Sequence, residues 1–90
     1  ALIESLSLKE IPQRLASFLL HILSQKGGRE INRLDLTITQ KELAKMLGAT
    51  PEALSRTIRR MSNVKVLTVE GRSIRILDRK TLEELAEGEG

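Results

Sequence analysis

Ninety residues with 40% hydrophobic content, a single aromatic side chain and no cysteine describe one small domain, with a core modest but adequate for independent folding. The lack of cysteine excludes a disulfide framework and a thiolate metal site, and suits a cytoplasmic protein; no apolar run approaches the roughly 20 residues that span a bilayer, and the N-terminus carries no secretory signal, so no membrane partner is expected. The formal net charge of +3 is segregated. Between Gln40 and Ser62 the basic side chains Lys41, Lys45, Arg56, Arg59 and Arg60 oppose only Glu42 and Glu52, whereas from Asp78 to Gly90 the acidic Asp78, Glu83, Glu84, Glu87 and Glu89 oppose only Arg79 and Lys80. A basic unit beside an acidic tail favours a polyanion at one face; a merely solvated surface stays open on charge alone.

In chain order, Leu2, Ile3, Leu6 and Leu8 read as the end of a preceding helix. Ser7 and Glu10 have capping-box spacing and Pro12 suits a helix start, which predicts a new helix beginning between residues 7 and 12. Ile11, Leu15, Phe18, Leu19, Ile22 and Leu23 then recur at helical spacing, and Gly27 and Gly28 stop that core helix. Residues 34–38, LDLTI, alternate as a short half-buried strand. Thr39 with Glu42 forms a second capping box, Leu43, Ala44 and Leu47 supply an inward face, and Gly48 ends the helix. Thr50 caps the next one, with Pro51 at its first position, where no backbone bond is lost. Residues 64–69 and 72–77 are β-branched runs joined through Glu70 and Gly71, a hairpin signal and a candidate wing. Asp78 or Thr81 caps a last helix containing Leu82, Leu85 and Ala86, before a frayed end at residues 88–90.

At about 100° per residue, Leu54, Ile58 and Met61 fall within a sector of roughly 60° and face the core. Glu52, Ser55, Arg56 and Arg59 fall almost opposite, toward solvent or a ligand. Two short helices across a Gly turn, the second bearing an Arg-rich outer face, make the pattern of a helix-turn-helix that reads DNA. Arg56 can bond guanine O6 and N7 together, Glu52 can accept from a cytosine amino group, and Ser55 can serve either base edge. Glu52 stands four residues before Arg56, so the two can also brace each other.

The motifs RLASFLLHIL, LTITQKELAKMLGATPEALSRTIRRM and VEGRSIRILDRKTLEELA, in this order and spacing, resemble the C-terminal winged-helix domain of the Crp/Fnr transcription regulators over residues 8–87. The resemblance implies a mainly α winged helix-turn-helix with a small antiparallel β wing, and a recognition helix at about residues 51–62 lying in the major groove of double-stranded DNA. It implies base contacts by Glu52, Ser55 and Arg56, and places Thr39, Gln40, Lys41 and Thr50 near phosphates, where helix N-termini offer free N–H groups. Arg59, Arg60 and the wing residue Arg72 are further phosphate candidates, positioning the domain without specifying sequence. Such regulators join this domain to an N-terminal sensor through a long dimerising helix. Residues 1–7 then read as a remnant of that helix or a linker, and the intact protein as a homodimer on a two-fold operator, with RNA polymerase a further candidate partner. No cofactor is expected in this domain, and the sensor's effector is not readable from it. Two departures stand out: Pro51 cannot donate a hydrogen bond, and Lys65 stands where many relatives have Gly, which shifts the expected left-handed turn to Asn63.

His21 has no second ligand at metal spacing, Ser55 has no nearby His base, and no phosphate-cradling Gly loop occurs, so no catalytic or metal site is assigned. Phe18 belongs to the core pattern, which excludes an aromatic platform for single strands. The alternative to a sequence-specific regulator is a winged-helix module that binds proteins instead of DNA.

Overall fold

Ile11, Leu15, Leu19 and Leu23 recur every four residues, so they stack along one edge of a helix, and the other elements assemble around that edge. The computed structural model describes residues 2–27 and 31–88. In chain order the elements are α1 (Leu2–Lys26), β1 (Arg33–Asp35), α2 (Gln40–Met46), α3 (Pro51–Asn63), β2 (Leu67–Glu70), β3 (Ser73–Ile76) and α4 (Arg79–Ala86). The four edge residues are buried together with Ala16, while Phe18 and Ile22 are only half buried at the flanks. α1 packs against α4, α3 and β1, so it is the central post of the domain.

The strands form an antiparallel sheet in the order β1-β3-β2. Ile74 sits between Leu34 on one side and Val69 on the other, and Leu67 lies opposite Ile76. With side chains alternating across the sheet, Leu34, Leu67, Ile74 and Ile76 all enter the core, whereas Arg33 and Arg75 point away from it. At the far end of β3 the Ser73 hydroxyl, nearly buried, donates to the Asp35 carboxylate and ties the two strands together. The result is the expected winged helix-turn-helix: four helices with a small antiparallel wing.

Several boundaries differ from the sequence expectation. α1 does not start between residues 7 and 12; it runs unbroken from Leu2 across Pro12. Pro12 forfeits one backbone bond at a cost of about 3 kcal/mol, but the strong helix formers before it and the buried edge after it hold the helix together. The first strand covers Arg33–Asp35 rather than residues 34–38, because beyond Leu36, whose N–H reaches the Arg72 carbonyl at 3.0 Å, the chain turns into α2. β2 begins at Leu67 rather than Val64, since residues 64–66 are taken up in closing α3. Lys65 N–H bonds to the Ser62 carbonyl at 3.0 Å and Val66 N–H to the Met61 carbonyl at 2.9 Å, the Schellman pattern. The left-handed residue is therefore Lys65, with φ of 63°, and not Asn63, which is the last residue of the helix. β3 is one residue shorter at each end than the expected 72–77. Gly27 leaves α1 with a φ of 133°. Its neighbour Gly28 and residues 89–90 of the expected frayed end lie outside the described residues.

The caps expected at Thr39 and Thr50 form, Asp78 rather than Thr81 is the cap of α4, and no helix start falls at Ser7, where Ser7 and Glu10 have capping-box spacing. The Asp78 carboxylate accepts the Thr81 hydroxyl at 2.7 Å and the Thr81 N–H at 3.1 Å, and these bonds hold its pKa below the usual value. Glu42 is lowered in the same way, first by the Thr39 N–H and then by the Thr39 hydroxyl. A carboxyl whose folded-state pKa is depressed contributes stability above its unfolded pKa and loses that contribution as pH falls through the folded one. Urea unfolding should therefore show stability level from about pH 7 to about pH 5 and declining below that. The double variant Glu42→Gln, Asp78→Asn keeps the acceptors but cannot titrate, and should decline less; an equal decline would remove both caps as its source.

Candidate nucleic-acid interface

Leu54 is fully buried and Met61 is 4% exposed, and these two residues, two turns apart, fix the rotation of α3. Ile58, between them, is half buried and packs against the same core from the side. With that edge inward, Glu52, Ser55, Arg56, Arg59 and Arg60 are all exposed. α3 begins at Thr50, whose hydroxyl accepts the Ala53 N–H at 3.1 Å, and Pro51 occupies the first helical position.

The turn between α2 and α3 is held from two directions. Gly48 has a φ of 73°, its N–H bonds to the Lys45 carbonyl at 3.1 Å, and the Ala49 N–H bonds to the Ala44 carbonyl at 2.8 Å. From α1, the Arg14 guanidinium donates to the Leu47 carbonyl at 2.9 Å, and a Cβ at position 48 would stand 2.9 Å from that guanidinium. Glycine here meets both the backbone and the space requirement.

α2 starts with a complete capping box: the Glu42 N–H bonds to the Thr39 hydroxyl at 3.1 Å, and the Thr39 N–H to the Glu42 carboxylate at 2.9 Å. The Thr39 hydroxyl also donates to that carboxylate at 3.2 Å, so the polar groups of Thr39 are already engaged within the protein. Gln40 and Lys41, exposed in the first turn, retain theirs.

The candidate residues fall into three groups. Gln40, Ser55 and Arg59 line one groove of about 410 Å³ between the outer face of α3 and β2. Thr39, Gln40 and Arg72 line an adjoining cleft of about 280 Å³ beneath the wing tip. Lys41, Thr50, Glu52, Arg56 and Arg60 are exposed but line neither. The groove also contains Ser62, Asn63 and Thr68, none of which the sequence assigned to the interface. Thr68 carried a usable signal, as the polar residue alternating with apolar ones in β2. The brace expected between Glu52 and Arg56 is not formed: among the described residues the ion pairs within 4 Å include Arg75–Glu70 at 3.9 Å and Arg79–Glu83 at 3.6 Å, but not this pair. An exposed pair of this kind gains only about 0.3–0.5 kcal/mol, too little to fix two long side chains.

Among the described residues no group of three or more His, Cys, Asp or Glu side chains is placed to hold a metal ion, and no helix is long and apolar enough to cross a membrane. His21 is exposed on α1, with its Nε2 3.2 Å from the Gln25 side-chain amide.

A Gly turn between two capped helices, an exposed basic face on the second and a β hairpin beside it define a winged helix-turn-helix domain. Residues 13–85 match the family described as the Crp-like helix-turn-helix domain, and the chain belongs to that family, the winged-helix domain of the Crp/Fnr regulators. It is 38% identical over 86 residues to the fumarate and nitrate reduction regulatory protein of Vibrio cholerae, covering 90% of this chain and 33% of that protein. It is 33% identical over 85 residues to the transcriptional activator protein FnrA of Stutzerimonas stutzeri, covering 92% of this chain and 35% of that protein. Among solved structures, DNR from Pseudomonas aeruginosa superposes with a TM-score of 0.78 at 33% identity, over 90% of this chain and 35% of that one. The catabolite activator protein of Thermus thermophilus gives 0.76 at 26% identity, over 98% and 39%. The chain spans about a third of the length of the curated relatives it matches, and those relatives are regulators of transcription rather than enzymes.

Because Glu52, Arg56 and Arg59 are exposed without an ion pair among the described residues, replacing each by Ala should change stability by less than about 0.5 kcal/mol in urea unfolding. A loss above about 1 kcal/mol would show that the side chain supports the fold and not a ligand.

Proposed function

We propose that this chain is the sequence-specific DNA-reading domain of a cytoplasmic Crp/Fnr-type transcription regulator, with α3 lying in the major groove. The observation that carries this reading is the single surface on which the exposed face of α3 adjoins Gln40 at the start of α2 and Thr68 on the wing. A helix seated in a groove about 12 Å wide presents its outer face to base edges and its flanking elements to the two phosphate backbones. In this reading Arg56, Glu52 and Ser55 contact bases. Gln40, Lys41, Thr50, Arg59, Arg60 and Arg72 contact phosphates, with Thr39 near the backbone chiefly as the cap that holds α2.

For the whole regulator the reading extends to an N-terminal sensor domain, with the first turns of the unbroken α1 belonging to the helix that joins it to this one. Two copies would pair on an operator whose half-sites lie about 34 Å apart. RNA polymerase is a candidate partner of that assembly. The family resemblance supports these statements, and the relatives' greater length agrees with them.

Two measurements test the assignment of side chains. Arg56→Ala should remove roughly 1–3 kcal/mol of discrimination at one guanine, read by competing specific and mutated duplexes; equal losses on specific and random DNA would contradict a base contact. Lys41→Ala should weaken specific and random duplexes alike and flatten the slope of log affinity against log salt by about one unit. An unchanged slope would take Lys41 out of the phosphate set. A chain showing no salt-sensitive duplex binding at all would belong to the alternative class, a protein-interaction module.

A further inference from the structure

The cleft beneath the wing is walled by Leu36, Ile38, Ile58, Val69 and Ile74, with Arg72 at its mouth. Its apolar lining is not sealed: Ile58 is half buried and Val69 is 44% exposed, although Val69 lies opposite the core residue Ile74 in the sheet. An exposed β-branched side chain beside a half-buried one leaves apolar surface that water covers at a cost. Arg72 is exposed, and among the described residues its guanidinium has no ion pair. The cleft therefore combines an apolar floor with one uncompensated positive charge at the rim, the complement of a short chain ending in an anion.

Size narrows the ligand. A cavity of about 150 Å³ holds benzene, so a cleft of about 280 Å³ takes roughly ten to twelve non-hydrogen atoms. We propose that this cleft binds a small amphipathic carboxylate of about eight carbons, with its chain against Ile58, Val69 and Ile74 and its carboxylate on Arg72, and that occupancy competes with DNA. The guanidinium forks onto the carboxylate, and the planar fit favours this head group over a neutral one. Competition arises because Arg72 and Gln40 line the cleft and are also assigned to phosphates; this second half rests on the DNA reading above, while the first does not.

The test titrates butanoate, hexanoate, octanoate and decanoate into the isotope-labelled chain without DNA, following the methyl signals of Ile58, Val69 and Ile74 by NMR. The expected result is saturable shifts confined to the cleft, with affinity rising about fourfold per added methylene up to eight carbons and flattening beyond. Hexan-1-ol should bind at least about tenfold more weakly than hexanoate, and Arg72→Gln, a surface change that leaves the fold intact, should lose a similar factor for hexanoate. Shifts that never saturate, affinity indifferent to chain length, or equal binding by Arg72→Gln would each overturn the site. In a second arm, octanoate at ten times its dissociation constant should lower duplex affinity about tenfold. Unchanged duplex affinity overturns the competition. A chain that takes octanoate but binds no duplex at any salt concentration overturns the DNA reading and leaves the cleft standing.

Discussion

The rotational setting of α3 is the constraint on which the rest of the molecule depends. Leu54 and Met61 are driven out of water into the space between α1, α2 and β2, and a turn of the helix by one residue, about 100°, would bring Leu54 to the surface. That exposure alone costs about 1.5–3 kcal/mol, before any charge from the opposite face is forced inward. Against a domain stability of roughly 5–15 kcal/mol, one such term is large enough to select a single orientation. The exposed side chains of α3 are thus arranged by residues that never touch a ligand. Arg14 extends the same control to the turn, because its bond to the Leu47 carbonyl ties the end of α2 to the central post.

Much of this was legible in the sequence because the governing patterns are local. The capping box at Thr39 and the caps at Thr50 and Asp78 are read from side chains that can accept a bond three residues on, and these three form. The inward edge of α3 follows from spacing alone, and so does the exposure of all its candidate contacts. What was not legible depends on partners distant in the chain. Whether residues 36–38 pair is decided by where β3 begins, and whether Pro12 opens or interrupts a helix is decided by residues on both sides of it. The groove residues Ser62, Asn63 and Thr68 meet only because β2 folds back along α3, a contact that no periodicity announces.

The two helices of the reading unit end in the same pattern of hydrogen bonds but use different residues to do so. Gly48 adopts its positive φ without penalty, which is why the first closure is visible in the sequence. Lys65 adopts nearly the same conformation at a cost of about 1–2 kcal/mol, and so residue type alone points to Asn63 and not to the lysine that closes α3. Val66, the next residue, is buried and begins the apolar run of the wing, so the strained lysine also sets the direction in which the hairpin leaves the helix.

Because β3 is the middle strand, the sheet exposes only two borders, one of three residues and one of four. Arg33 and Asp35 stand on the first and Glu70 on the second, all in solvent. Borders so short and so charged offer a poor template for a strand from another molecule. Copies crowded side by side along one length of nucleic acid would consequently meet without zipping into aggregates, even though each carries an open row of backbone donors and acceptors.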